Sequence, residues 1–131
     1  MKFKLKSLRI LIAEDNLINQ KILKTYLSRM DHTSIIANNG KEAIDINKSY
    51  EFDCILMDIQ MPKLNGLEAT KKIRKLENGS GKHLPIIAVT SKSRYNDCED
   101  FYEAGMDEFI PKPVNFDLLK SVLNNVANNI Y

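Results

Sequence analysis

Phe52-Asp53-Cys54-Ile55-Leu56-Met57-Asp58 is the stretch on which the fold turns. Four apolar residues in succession, halted by a carboxylate, predict a strand rather than a helix. The run is too short for a helix, and its lack of alternation predicts cover on both faces. The sequence that follows changes period. After a loop over Gln60–Asn65, the stretch Gly66–Leu76 predicts a helix burying Leu67, Thr70, Ile73 and Leu76.

The same alternation extends in both directions. Upstream, Leu8-Arg9-Ile10-Leu11-Ile12-Ala13 is a strand that stops at Glu14-Asp15-Asn16, and a helix follows with Ile18, Ile22, Tyr26 and Met30 on one stripe, widened by Leu23 and Leu27. Thr33–Ala37 is a second strand, Asn38-Asn39-Gly40 a turn, and Lys41–Ser49 a helix with Ala43, Ile44 and Ile46 inward. Downstream of the flexible-looking Glu77–Lys82, Pro85–Val89 is a strand ending at Thr90. Ser93–Glu103 is a polar helix with a thin stripe at Tyr95, Cys98 and Phe101. Phe109-Ile110 is a short strand running into Pro111-Lys112-Pro113, and Phe116–Val126 is a helix burying Leu119, Val122, Leu123 and Val126. Strands this apolar, alternating with helices, predict an α/β fold: a flavodoxin-like, doubly wound (βα)5 unit with a parallel five-stranded sheet in the order 2-1-3-4-5.

Composition narrows the function classes. The chain has 131 residues, read as a single domain with its core over about 8–126; it is 44% hydrophobic and 27% charged, with a net charge of +2. That charge argues against nucleic acid or an anionic membrane as a direct partner. No apolar stretch reaches the ~20 residues of a membrane span, and the first residues show no apolar h-region before a small-residue cleavage site, so secretion is not expected and a cytoplasmic setting is. The basic residues of Met1–Lys6 read as a solvated terminus. Cys54 reads as core, and Cys54 with Cys98 makes no disulfide framework. His32 and His83 read as surface residues without ligand spacing.

In an open parallel sheet, ligands gather outside the C-terminal strand ends at the topological switch point. The abrupt polar residues stand at those ends: Glu14 and Asp15 after strand one, Asp58 after strand three, Thr90 after strand four and Lys112 after strand five. Strands one and three are predicted neighbours, so three carboxylates should converge and repel. Oxygen-only ligation suits Mg²⁺, which completes its octahedron with water and phosphate oxygens. A lysine and a threonine hydroxyl complete the inventory for phosphoryl transfer, in which a carboxylate can be the nucleophile. Taken singly, the same residues have plainer readings: Glu14-Asp15 as a solvated turn with Asn16 as helix cap, Lys112 as a turn lysine, Phe109 as core.

Leu11-Ile12-Ala13-Glu14-Asp15-Asn16, Met57-Asp58-Ile59-Gln60-Met61-Pro62-Lys63-Leu64-Asn65-Gly66, Ala88-Val89-Thr90-Ser91 and Phe109-Ile110-Pro111-Lys112-Pro113 together resemble the signatures of response-regulator receiver domains. The resemblance runs from about Leu8 to Val126. It implies a phosphoacceptor at Asp58, and Mg²⁺ held by Asp15, Asp58 and the Gln60 backbone carbonyl, with Glu14 acting through a coordinated water. It further implies that Thr90 and Lys112 contact the phosphoryl group, that Lys112-Pro113 is cis, and that Phe109 is the aromatic that reports phosphorylation. The donor would be a histidine kinase or histidine phosphotransfer domain. The opening acids, the Gln60-Met61-Pro62 loop and the Ile110–Pro113 ending are most similar to receivers at the C-terminus of hybrid histidine kinases. Phe109 stands where tyrosine is frequent and Ser91 where alanine is commoner, while Gln60 and Lys92 occupy positions that tune dephosphorylation. The chain is therefore expected to be a signalling module that assists its own phosphorylation and dephosphorylation, not an enzyme. An aspartate-nucleophile phosphatase would need a second acid where Gln60 stands. A phosphorylation-independent module would have lost one of the site residues, and a flavin or nucleotide binder would face repulsion from Glu14-Asp15.

Overall fold

A computed structural model describes residues 6–91 and 95–131, the side chains of 95–98 excepted. Strands and helices alternate as β1 (Arg9–Ala13), α1 (Leu17–Arg29), β2 (Thr33–Ala37), α2 (Gly40–Ser49), β3 (Cys54–Asp58), α3 (Gly66–Glu77), β4 (Ile86–Thr90), α4 (Tyr95–Ala104), β5 (Glu108–Pro111) and α5 (Phe116–Ala127). All neighbouring strands are parallel, in the order β2-β1-β3-β4-β5. This is the predicted topology, with the switch point between β1 and β3. Four of the helices open on an asparagine whose side chain accepts from a backbone N–H of the first turn: Asn16, Asn39, Asn65 and Asn115.

The period of two along each strand divides the core into two layers. Leu11, Ala13, Ile55, Met57, Ile86 and Ala88 face α2, α3 and α4, where Ala43, Ile44, Ala69, Ile73 and Phe101 cover them. Ile10, Ile12, Cys54, Leu56, Ile87 and Val89 face α1 and α5, under Leu23, Leu27, Leu119, Val122, Leu123 and Val126. Successive strand residues are therefore apolar because both faces are covered. Cys54 is fully buried, as expected, and burial pushes its thiol up out of the reactive range.

Several expected inward residues turn outward. Ile18 and Ile22 are 69% and 40% exposed, while the buried line of α1 is Gln20, Leu23 and Leu27. The reason is geometric. An i, i+4 row winds about 40° per step around a helix of 3.6 residues per turn, so the row begun at Ile18 starts in solvent. It reaches the core edge only at Tyr26 and Met30, which are partly buried. Leu76 is likewise exposed, at 58%. It lies in a groove between α2 and α3 with Ile44 and Leu64. In the expected stripe of the fourth helix, Phe101 is buried; Tyr95 and Cys98 fall outside the described side chains, as do Ser93 and Lys92.

Both histidines have partners. His32 is half-buried and its Nδ1 accepts from the Leu8 N–H at 3.0 Å, and burial holds its pKa below the ordinary value. His83 lies 2.6 Å from Asp107. Asp107 belongs to a network the sequence did not announce, centred on Arg74. The guanidinium donates to the Gly105 and Leu84 carbonyls at 2.9 and 2.8 Å, and pairs with Glu77 at 2.7 Å and Asp107 at 2.9 Å. It thereby ties the end of α3 to the approach of β4 and the turn into β5. Arg74 is 17% exposed at its side chain, so truncation takes the guanidinium from two half-buried carboxylates and leaves Glu77 with the Leu84 N–H and Asp107 with His83 and the Ile86 N–H. Arg74→Met is expected to lower the free energy of unfolding by about 2–4 kcal/mol, read from urea denaturation. A loss under about 0.5 kcal/mol, the surface range, would remove the network from the account of the fold.

Candidate phosphoacceptor and metal site

Strand register brings the site together. Ala13 stands opposite Met57, so Glu14 comes level with Asp58. Asp58 stands opposite Val89, and Thr90 opposite Pro111, which places Thr90 and Lys112 one position further along the same edge. Glu14 and Asp58 are buried at 1% and 6%, and Asp15 is exposed. One carboxylate oxygen from each of Glu14, Asp15 and Asp58 lies within 4.8 Å of the others.

Lys112 supplies the countercharge. Its Nζ is 2.8 Å from Glu14 and 3.3 Å from Asp58. The lysine is aimed inward from the end of β5, where its N–H donates to the Thr90 carbonyl at 2.8 Å and the Lys112-Pro113 bond is cis, as expected. One ammonium cannot satisfy two buried carboxylates equally. Burial and the neighbouring Glu14 push the Asp58 carboxyl up to about 7. The Glu14 carboxyl, although burial opposes it, is held below its ordinary value by hydrogen bonds with Asp58 and Lys112. The shorter ion pair to Glu14 favours the charged form of Glu14 over that of Asp58.

The loop leaving β3 folds back over the acid. The Gln60 N–H donates to Asp58 Oδ1 at 3.3 Å, and the Gly66 N–H to the Ile59 carbonyl at 2.9 Å. A Cβ at Gly66 would collide with the Asp58 backbone carbonyl, so only glycine permits this closure. A Cβ at Gly40 would strike the Leu64 carbonyl in the same way.

Of the predicted residues, Glu14, Asp15, Asp58 and Lys112 form one cluster. Gln60 is exposed beside it, joined through its N–H. Thr90 is buried at the adjacent strand end. Phe109 stands apart on the α4 side of the sheet, with its ring centroid 6.2 Å from that of Phe101. Sequence reasoning missed Gln20, a buried amide donating to the Glu14 carbonyl at 2.6 Å; its signal was a polar residue in line with Leu23 and Leu27. An all-oxygen donor set with one exposed member suits a hard divalent cation that keeps several waters.

Without a cation the cluster is electrostatically costly, and two substitutions should move stability in opposite directions. Asp58 binds its proton more tightly folded than unfolded, so the stability it contributes is present at low pH and is lost as pH rises from about 4 through 7. In chelator at pH 8, Asp58→Asn is expected to raise the unfolding free energy by about 1–2 kcal/mol, an advantage that fades toward pH 4. Lys112→Met, which strands the buried Glu14, is expected to lower it by about 2–4 kcal/mol. Thermal denaturation across pH checks both, and a destabilised Asp58→Asn would contradict the charge assignment.

Comparison with known proteins agrees with this geometry. The chain matches the response regulator receiver domain family over residues 10–124. It is 50% identical, over 88% of its length, to hybrid signal transduction histidine kinase I of Dictyostelium discoideum, and it spans 7% of that kinase. Among solved structures it superimposes on the receiver domain of the Saccharomyces cerevisiae response regulator Ssk1, crystallised with the histidine phosphotransfer protein Ypd1. That match has a TM-score of 0.88 and 32% identity, and covers 96% of this chain and 92% of the other. It also superimposes on the receiver domain of a Pseudomonas aeruginosa sensor histidine kinase with magnesium in its active-site cleft. Here the TM-score is 0.84 with 32% identity, over 94% of this chain and 99% of the other. Strand order, acid cluster and family match converge: the chain belongs to the response-regulator receiver domain family of two-component phosphorelay signalling.

Proposed function

We propose that residues 1–131 act as one receiver domain that takes a phosphoryl group from phosphohistidine onto Asp58 and so switches partner binding or passes the group on. The observation that carries this reading is the convergence of Asp58, two further acids and Lys112 at one strand edge. The acid cluster fits Mg²⁺, which Asp15, Asp58 and the Gln60 backbone carbonyl would hold, with Glu14 acting through a coordinated water. Bound there, the ion would neutralise the phosphoryl oxygens and keep Asp58 ionised. In the transfer, an Asp58 carboxylate oxygen forms a bond to phosphorus as the phosphorus–nitrogen bond of the donor breaks, and the electron pair returns to the imidazole. Lys112 pairs with the transferred group, and the Thr90 hydroxyl donates to one of its oxygens. No chemistry on a second substrate is assigned, so the domain is read as a signalling module rather than an enzyme.

The product adds about −1.5 to −2 charge at Asp58. Thr90 follows Ala88 by two residues on β4 and so lies on the α2, α3 and α4 side of the sheet, the side on which Phe109 packs. A shift of Thr90 toward the phosphoryl group opens room that Phe109 can enter, which repacks α4 and β5. Leu17, Ile18 and Ile22 support a docking partner beside the site: at the start of α1, next to the acids, they are 71%, 69% and 40% exposed. A histidine kinase or histidine phosphotransfer domain that buries them would bring its phosphohistidine to Asp58. The 50% identity to a hybrid kinase favours a receiver borne by such a kinase. No helix among the described residues is long and apolar enough to cross a membrane, and a cytoplasmic setting fits that reading.

Incubation with acetyl phosphate and Mg²⁺ tests the assignment by intact mass. The wild type is expected to gain one phosphoryl group, and to gain none in chelator. Asp58→Asn should gain none, and Lys112→Met should be slower by about a hundredfold, the order of effect of losing one charge-stabilising group. Persistent labelling of Asp58→Asn would overturn Asp58 as acceptor.

A further inference from the structure

Gln20 occupies the buried line of α1 and is 6% exposed. An amide placed there costs free energy unless its donors are met. They are met by two loops rather than by its own helix: Nε2 lies 2.6 Å from the Glu14 carbonyl oxygen and 2.9 Å from Asn38 Oδ1. Two acceptors facing one nitrogen fix which way the amide points. Asn38 is oriented in turn by Glu42, whose Oε1 accepts from both its side-chain and backbone N–H at 3.2 Å. A continuous polar chain therefore runs from the first turn of α2, through Asn38 and Gln20, to the backbone that carries the acids.

That backbone is held from both sides. The Glu14 N–H donates to the Ala37 carbonyl at 3.0 Å, and the Glu14 carbonyl accepts from Gln20. The carbonyl of Glu14 and the nitrogen of Asp15 share one rigid peptide plane, so fixing the first sets the direction in which Asp15 leaves the strand. Asp15 is exposed and lies on the solvent side of the cluster. Its placement depends on the peptide beneath it more than on side-chain packing.

We propose that Gln20 is a positioning residue of the divalent-cation site, its amide holding the Glu14–Asp15 peptide so that the Asp15 carboxylate meets those of Glu14 and Asp58. This rests on the reading of that cluster as a Mg²⁺ site. Gln20→Met keeps the length of the side chain and removes both donors. Its Mg²⁺ dissociation constant, measured by amide chemical-shift titration without any phosphodonor, is expected to rise about tenfold, the lower end of the effect of losing a group that orients metal ligands. Asn38→Ala, on an exposed turn, should weaken binding in the same direction by less, and it carries the test should Gln20→Met not fold. Leu23→Ala removes a buried neighbour on the same helix face. It should lower the melting temperature in chelator and leave Mg²⁺ affinity unchanged. Wild-type affinity in Gln20→Met or in Asn38→Ala overturns the assignment, as does a Leu23→Ala that weakens Mg²⁺ binding equally. If the wild type itself shows no Mg²⁺ response, the metal reading falls and this inference with it.

Discussion

Everything at the functional edge follows from an excess of negative charge that the fold concentrates and then only partly neutralises. Glu14 and Asp58 are buried beside an exposed Asp15, and one ammonium, that of Lys112, stands between the two buried acids. Coulombic repulsion at these distances is worth kilocalories at the effective dielectric of a partly buried site. The domain tolerates it because the parallel sheet is closed by two apolar layers that do not depend on the acids. A site left short of positive charge suits a cation and, in the proposed function, a phosphoryl group brought in with it.

The topology and the acid cluster were legible in the sequence for one reason. In a doubly wound sheet both depend on where apolar runs stop. Leu8–Ala13 stops at Glu14, Phe52–Met57 at Asp58 and Pro85–Val89 at Thr90, and each stop lies within a residue of the observed strand end. The faces of the helices were less legible. Ile18, Ile22 and Leu76 are apolar at helical spacing, yet exposed, because periodicity says that a stripe exists and not which turn of it meets the sheet. Arg74 was silent: between Lys72 and Lys75 it looks like one more solvated cation, and only the tertiary approach of Gly105 and Asp107 gives its guanidinium a role. His83 is exposed, as expected, whereas His32 is half-buried, and the partners of both, Leu8 and Asp107, lie 24 residues away, beyond the reach of local pattern.

The glycines show how closely loop chemistry and site chemistry are joined. Gly66 lets the loop after β3 lie against the Asp58 carbonyl, and Gly40 lets the start of α2 lie against the Leu64 carbonyl of the same loop, with the Gly40 N–H donating to it at 3.1 Å. The loop is therefore fastened at its end to the strand that carries the proposed acceptor and near its end to α2. That helix also begins the polar chain through Asn38 and Gln20 to Glu14. The two acid-bearing loops share α2 as a common support, although none of its own side chains joins the acid cluster.

The alternation of strand side chains separates chemistry from readout. Asp58 continues the series Cys54, Leu56, and Lys112 follows Ile110, so both belong to the side of the sheet covered by α1 and α5, as does Glu14 after Ile10 and Ile12. Thr90 continues Ile86 and Ala88 on the opposite side, where Phe109 rests against Phe101 of α4. In the proposed function the phosphoryl group arrives on the first side, next to the exposed apolar start of α1. In that reading Thr90 would carry the consequence through the sheet edge to the second. A donor and a reader can then use different surfaces of one small domain. Thr90 is 2% exposed, so a movement there must be taken up by its packed neighbours rather than by solvent.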